Sequence, residues 1–131
     1  MGSGMQDLGT LLAEGTLIIG DGAIGTQLQA RGLPAGMMPE AWSEARPDAV
    51  RDVHLAYLQA GAQYLTTNTF GANRVRLGER GLGGRVAEFN ERGVALAREV
   101  AGDDAWVAGS VGPTGKLMQP LGELSVAEAE D

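Results

Sequence analysis

The sequence predicts an α/β fold in which parallel strands alternate with helices. Short apolar runs typical of buried strands begin at Leu17, Tyr64 and Ala105. Between them lie stretches with apolar residues at helical spacing, above all residues 47–60 and 86–101. Strands joined by helical crossovers form a parallel sheet. These patterns leave two architectures open, a doubly wound sheet and a closed barrel of parallel strands.

The first half of the chain carries a short helix, a strand and a long helix. Asp7 to Glu14 can form the short helix, and the run Leu17 to Ile19 is predicted as a buried strand. Glycine and proline interrupt the chain from Gly32 to Pro39. The long helix begins at Pro47, because proline suits the first helical turn, and should end near Ala60.

The second half repeats the alternation. Gln63 to Thr67 is predicted as the second strand and Ala105 to Ala108 as the third, with a helix closed by Gly102 between them. Ser125 and Glu128 have the spacing of a capping box, which begins a further helix. The sequence ends inside that helix, and three parallel strands would leave apolar edges without partners, so we expect a truncated domain.

Met1 to Gly4 precede a second methionine, Met5, and resemble an added leader, although a short native leader fits the same residues. The partial domain is therefore expected to run from Met5 to Asp131.

Composition excludes several functional classes. Seventeen acidic and ten basic side chains give a formal charge of -7, which opposes binding to nucleic acid or an anionic membrane. No apolar run approaches the ~18 residues of a spanning helix, and no signal-peptide pattern is present. We therefore expect a cytoplasmic protein that binds neither nucleic acid nor membrane. The sequence has no cysteine, which excludes disulfides and thiolate metal sites within the chain.

The predicted strand ends are the expected place for a ligand, since both architectures bind ligands beyond the carboxyl ends of their strands. All three ends combine glycines with small polar side chains, in Gly20 to Thr26, Thr66 to Gly71 and Gly109 to Gly115. Glycine lets the backbone approach a ligand, and Asp21 offers a carboxylate to a ligand ammonium. One such segment is as compatible with an ordinary turn as with a site, but the three together favour a binding site.

Two nucleotide-binding motifs fit poorly. Gly20 to Gly25 has the G-x-G-x-x-G spacing of a dinucleotide site. The glycines and prolines from Gly32 onward, however, leave no room for a full helix after it. Asp21 would also repel a pyrophosphate. Gly112 to Lys116 resembles a phosphate-binding loop only in part, because Leu117 stands where that motif needs serine or threonine.

Several conspicuous side chains are interpreted as structural. His54, the single histidine, lies on the apolar face of a predicted helix away from the strand ends, and is interpreted as a packed or hydrogen-bonded residue. Four arginines interspersed with acids are interpreted as a solvated helical face: Arg74, Arg76, Arg80 and Arg85. Phe70 fits either contact with a ligand or a cover over the mouth of the fold. The other large aromatic residues are assigned to packing: Trp42, Phe89 and Trp106.

The glycine-rich segments, taken in order, resemble the homocysteine S-methyltransferase family. The matching stretches are Leu17 to Thr26, Ala60 to Ala62 followed by Thr67 to Arg74, and Gly109 to Gly115. Within the family, the likeness is close to the homocysteine-binding module of cobalamin-dependent methionine synthases, and the chain is also similar to bacterial proteins that fuse this module to a methylenetetrahydrofolate reductase. The resemblance runs from about Leu17 to the end of the chain.

This resemblance implies that the chain is the N-terminal portion, about three βα units, of a (β/α)8 TIM barrel that binds homocysteine at its mouth. It implies that Asp21 accepts a hydrogen bond from the homocysteine ammonium and that the amides around Gly22 and Ala23 bind the carboxylate. It also implies that three further residues line the substrate: Thr67, Asn68 and Thr69.

The same resemblance places the cofactors elsewhere. In the family, zinc held by three cysteines of later strands activates the homocysteine thiol, and this chain ends before those strands. The parent protein is expected to methylate homocysteine to methionine, with methyltetrahydrofolate and cobalamin bound by other domains. No catalytic residue and no metal ligand are expected in this chain, which alone should be inactive. The alternative is a noncatalytic homocysteine-binding protein or one piece of a split barrel.

Overall fold

A two-stranded parallel sheet organises the computed structural model, which describes residues 4–131. Strand β1 (Tyr64–Thr66) pairs with β2 (Trp106–Ala108), and Leu65 lies opposite Val107. The helices in chain order are α1 (Leu8–Ala13), α2 (Gly25–Ala30), α3 (Trp42–Ala45), α4 (Pro47–Gln59), α5 (Arg74–Gly78), α6 (Val86–Ala101) and α7 (Val126–Glu130). Short 3-10 helices, Pro39–Ala41 and Gly83–Arg85, precede α3 and α6. Of the expected leader, Met1 to Ser3 lie outside the described residues.

The prediction of a buried strand at Leu17 to Ile19 is wrong. Leu17 and Ile19 are 85% and 58% exposed, and only Gly20 forms a parallel bridge, to Tyr64. The amide of Gln63 donates to the Ile19 carbonyl at 2.7 Å, so the segment runs beside β1 without becoming a regular strand. The physical reason is the shortage of neighbours: β1 holds one edge of the segment, while its apolar side chains meet no covering layer.

The proline and glycine that were predicted to bound the two long helices do so. Pro47 takes the first position of α4, and α6 ends where Gly102 adopts a φ of 49°. The side chains of Val50 and Val53 on α4 and Leu96 on α6 are almost fully buried in the main core, which also includes Leu28 and Trp42. A smaller cluster joins Leu65 of β1 to the end of α6. These contacts fix the helices against one face of the sheet.

The last helix begins as the sequence predicted. Ser125 accepts a hydrogen bond from the Glu128 amide, and the Glu128 carboxylate accepts one from the Ser125 amide at 2.9 Å. No helix within residues 4–131 combines the length and apolar character needed to cross a membrane.

Candidate functional site

A cleft with a volume of about 480 Å³ opens where β1 and its neighbouring segments end. Five of the six residues predicted to bind substrate line it: Asp21, Gly22, Thr67, Asn68 and Thr69. The sixth, Ala23, lies beside the cleft, where its carbonyl accepts a hydrogen bond from the Tyr57 hydroxyl at 2.7 Å. Residues from two separated parts of the chain therefore meet at one end of the sheet.

Asp21 is held in place by a single residue of β1. The Thr66 amide donates to Oδ2 of Asp21 at 2.7 Å, and the Thr66 hydroxyl donates to Oδ1 at 2.7 Å. An ionised carboxylate has about four acceptor positions, so these two bonds leave further positions open toward the cleft. The half-buried Asp21 is thus a fixed anion with unused acceptor capacity.

The two threonines of the next loop form a closed hydrogen-bond cycle with Ser110. The Thr69 hydroxyl donates to the Ser110 carbonyl at 2.8 Å, and the Ser110 amide donates to the Thr67 hydroxyl at 3.0 Å. Because the Thr69 proton is already used, Thr67 must be the donor in the 2.7 Å contact between the two hydroxyls. Both threonines are buried, and their hydroxyls hold the loops that follow β1 and β2 together.

Asn68 and Glu40 connect the cleft wall to the helical segment before α4. The Asn68 amide nitrogen donates to the Pro39 carbonyl at 2.8 Å and to the Ser43 hydroxyl at 3.1 Å. The buried Glu40 carboxylate accepts from the Gly71 amide at 2.6 Å. The sequence reasoning missed Glu40, whose only local signal was its position directly after Pro39. Its partner lies thirty-one residues further along the chain.

Glycines allow the surrounding elements to approach this loop closely. A Cβ atom on Gly93 of α6 would lie 2.6 Å from Cγ2 of Thr69, and one on Gly112 would lie 2.2 Å from the Phe70 carbonyl oxygen. Both distances are shorter than van der Waals contact. Helix α6 and the loop after β2 can therefore press against the segment from Thr67 to Phe70 only because these positions lack a side chain.

His54 is packed, as predicted, but it does not lie far from the strand ends. The side chain is fully buried on α4, and neither ring nitrogen has a hydrogen-bond partner among the described residues. Burial lowers the pKa of His54, and the negative charge of Asp21 partly opposes that change. The neutral imidazole is therefore favoured, although the Asp21 charge acts on it in the opposite direction.

The four arginines interpreted as one solvated face divide into two pairs. Arg74 pairs with Asp131 at 3.2 Å, and Arg85 contacts Glu44 and Glu88. Arg76 and Arg80 instead line the cleft, as does the half-exposed Phe70. The prediction of a solvated helical face is wrong for Arg76, a half-buried residue of α5 that faces the cleft, whereas Arg80 lies beyond the end of α5 and is exposed.

The zinc ion implied by the resemblance does not fit the donors of this chain. Cysteine is absent from the sequence, and residues 4–131 bring no three His, Asp or Glu side chains together in a group able to hold a metal ion.

Comparisons with known proteins identify the family. The homocysteine S-methyltransferase family model matches residues 18–131. Methionine synthase of Mycobacterium tuberculosis (strain ATCC 25618 / H37Rv) is 38% identical over 129 residues, covering 88% of this chain and 11% of that protein. Betaine–homocysteine S-methyltransferase 1 of Danio rerio is 43% identical over 120 residues, covering 88% of this chain and 30% of that protein.

A solved structure shows the same likeness. The homocysteine methyltransferase MmuM from Escherichia coli, in its metallated form, superposes with a TM-score of 0.66 and 32% sequence identity, covering 81% of this chain and 41% of that chain. The chain thus spans less than half the length of each of these relatives. Since the family model matches nearly all of the sequence, this chain belongs to the homocysteine S-methyltransferase family.

Proposed function

We propose that this chain forms the homocysteine-binding part of an enzyme that transfers a methyl group to homocysteine and so forms methionine. The observation that carries the proposal is Asp21, a carboxylate held by two 2.7 Å hydrogen bonds at the wall of a cleft. The relatives named methionine synthase and betaine–homocysteine S-methyltransferase support the choice of substrate.

The cleft suits the polar end of a free amino acid. At neutral pH homocysteine carries an ammonium and a carboxylate, and Asp21 offers open acceptor positions to the ammonium. The amides of Gly22 and Ala23 follow directly, and neither donates to a backbone acceptor within the described chain. We assign these amides to the homocysteine carboxylate. Thr67, Asn68 and Thr69 line the substrate, and their internal hydrogen bonds keep the wall rigid.

Several parts of the proposal concern the parent protein. We place this chain as the first part of a (β/α)8 barrel, since both strands are parallel and the segment at Gly20 joins β1 from the other side. The zinc ligands that activate the homocysteine thiol, and the domains for cobalamin and methyltetrahydrofolate, are assigned to other parts of that protein. We assign no catalytic residue to this chain. Its cytoplasmic location stays a prediction from the sequence.

Reconstitution with a complementary fragment tests the proposal. The chain would be co-expressed with the part of the Escherichia coli homocysteine methyltransferase that it does not cover. Methionine formation would then be measured with betaine, S-methylmethionine, or methylfolate with cobalamin offered in turn. We expect turnover with both pieces, loss of turnover on adding a zinc chelator, and none with this chain alone.

Matched variants give the assay its controls. Asp21→Asn should abolish turnover, whereas Asp104→Asn, which changes an exposed carboxylate in the turn after α6, should not. Homocysteine binding without turnover would favour the alternative, a noncatalytic homocysteine-binding protein. The absence of both homocysteine binding and turnover would contradict the proposal.

A further inference from the structure

Glu40 is a buried carboxylate in the wall of the cleft, and the proposed function gives it no role. The side chain is 4% exposed, and none of the salt bridges within residues 4–131 includes it. From the described chain it accepts one hydrogen bond, from the Gly71 amide to Oε1 at 2.6 Å. Burying a carboxylate without a cation costs free energy, and a neutral acceptor could satisfy one amide with a smaller desolvation penalty. The stability of the fold alone therefore does not explain a carboxylate at this position.

The partner of Glu40 lies inside the turn that ends the cleft loop, the segment from Thr67 to Gly71. The Ala72 amide donates to the Thr69 carbonyl at 3.0 Å and closes a four-residue turn around Gly71. The bond from Gly71 to Glu40 therefore holds the turn that begins at Thr69. Glycine permits this approach, since a Cβ atom on Gly71 would lie only 3.0 Å from Oε1 of Glu40.

The short helical segment that carries Glu40 also holds the cleft loop at a second point. Glu40 belongs to the 3-10 helix Pro39–Ala41, and the Pro39 carbonyl accepts from the Asn68 amide nitrogen at 2.8 Å. The same nitrogen donates to the hydroxyl of the buried Ser43 at 3.1 Å. One segment, with the backbone of its first residue restricted by the proline ring, thus fixes the loop at Asn68 and at Gly71.

The opposite side of the cleft loop is fixed by the hydroxyl cycle with Ser110. With ties on both sides, the side chains assigned to the substrate are ordered before a ligand arrives. An ordered loop loses less conformational freedom on binding than a mobile one, and this difference strengthens binding. The bond between Glu40 and Gly71 can therefore affect affinity although Glu40 itself need not touch the ligand.

We propose that Glu40 is a positioning residue, whose carboxylate fixes Gly71 and so holds the cleft loop in the arrangement that binds homocysteine. The proposal rests on the function proposed above and adds a residue to it. Two properties of the side chain matter, its reach to Gly71 and its oxygen acceptor, and the charge of a carboxylate strengthens the bond. The opposing reading is that Glu40 only stabilises the fold.

Hydrogen exchange of the Gly71 amide, followed by nuclear magnetic resonance of the ¹⁵N-labelled full chain, reports on this bond. In the unmodified chain we expect slow exchange both without and with homocysteine, because the loop is ordered beforehand. In Glu40→Ala the Gly71 amide should exchange at least tenfold faster, and homocysteine should slow it again. The Trp106 amide, which donates to the Gln63 carbonyl at 3.0 Å within the sheet, should exchange at the same rate in both chains.

Homocysteine dissociation constants of matched variants separate positioning from stability. Glu40→Ala should weaken binding roughly tenfold or more. Glu40→Gln keeps the reach and an acceptor oxygen and should recover most of the affinity, whereas Glu40→Asp keeps the charge, ends one methylene short and should bind as weakly as Glu40→Ala. The control is Glu44→Ala, which removes an exposed carboxylate paired with Arg85 and should bind like the unmodified chain. Thermal melts identify the folded variants, and if Glu40→Ala does not fold, the comparison of Glu40→Gln with Glu40→Asp decides.

Three results would overturn the proposal. Unweakened homocysteine binding by folded Glu40→Asp or Glu40→Ala would leave Glu40 with a role in stability alone. Equal losses in Glu40→Gln and Glu40→Asp would show that the reach to Gly71 is not what binding requires. Fast exchange of the Gly71 amide in the unmodified chain without ligand would show that the loop is not ordered beforehand. Failure of the proposed function is distinguishable, because the unmodified chain itself would then not bind homocysteine.

Discussion

The Asp21 carboxylate bonds to β1 and, under the proposed function, would use its other acceptor positions for the substrate. Its two bonds from Thr66 tie the end of the segment at Gly20 to β1, while the remaining positions face the cleft. An asparagine at this position would keep one acceptor oxygen and lose the negative charge. Under the proposed function, the same carboxylate would serve both the local structure and the binding of the homocysteine ammonium.

His54 should make stability depend on pH. Its pKa is lowered by burial in the folded chain, against about 6.5 in an unfolded chain. As pH falls below about 6.5, the unfolded state takes up more protons than the folded state, so the free energy of unfolding should decrease. Urea unfolding at about pH 7.5 and about pH 5.5 measures this loss.

The matched variant for this test is His54→Leu, which removes the titrating group and both unpartnered nitrogens. It should unfold with much less pH dependence in the same window. Exposed carboxylates with lowered pKa values, Asp48, Glu88 and Glu128, titrate at more acidic pH and should contribute little there. If the variant loses as much stability between the two pH values as the unmodified chain, His54 is not the cause.

At the scale of elements, the approach of α6 to the cleft depends on Gly93. Gly93→Ala would place a methyl group 2.6 Å from Thr69 and 3.3 Å from the Asn68 carbonyl oxygen, so α6 or the loop must shift. We expect a loss of about 1–3 kcal/mol in the free energy of unfolding, measured with urea. Gly78→Ala in α5 meets no atom within 4 Å and should be neutral or slightly stabilising. Equal effects of the two substitutions would contradict this account of the packing.

Elements with strong local signals were predictable. The ends of α4, α6 and α7 are marked by Pro47, by Gly102, and by the Ser125 and Glu128 pair. These residues act on backbone close to them in sequence, so the helix ends can be predicted from local sequence. For helix α5 the sequence predicted a helical face but not its bounds, although Asn73 caps the helix by accepting from the Arg76 amide at 2.9 Å. Its five residues are too few to show helical periodicity.

The remaining differences depend on contacts distant in sequence. Leu17 to Ile19 has the composition of a buried strand, but burial requires a neighbouring layer that local composition does not report. The same limit applies to Glu40, whose role follows from Gly71, and to Arg76, whose direction follows from the placement of α5. The convergence of the loops at the strand ends was predictable because parallel strands bring their carboxyl ends to one edge.

At the scale of the whole molecule, apolar side chains are exposed at one edge of the sheet and in the later loops. Leu17, Val111 and Leu121 are each at least 85% exposed. We expect the isolated chain to self-associate as its concentration rises, which light scattering during size-exclusion chromatography would show. Leu17→Lys combined with Ile19→Lys should shift the chain toward monomer. A monodisperse monomer of the unmodified chain at all concentrations would contradict this expectation.

The central claim, that Asp21 binds the ammonium of homocysteine, is tested most directly by calorimetry with two ligands. Homocysteine would be compared with γ-mercaptobutyrate, which lacks only the amino group, for the unmodified chain, Asp21→Asn and the control Asp104→Asn. We predict that Asp21→Asn weakens homocysteine binding by roughly tenfold to a hundredfold, leaves γ-mercaptobutyrate binding little changed, and melts as a folded protein. Equal losses for both ligands, or none for homocysteine, would contradict the claim.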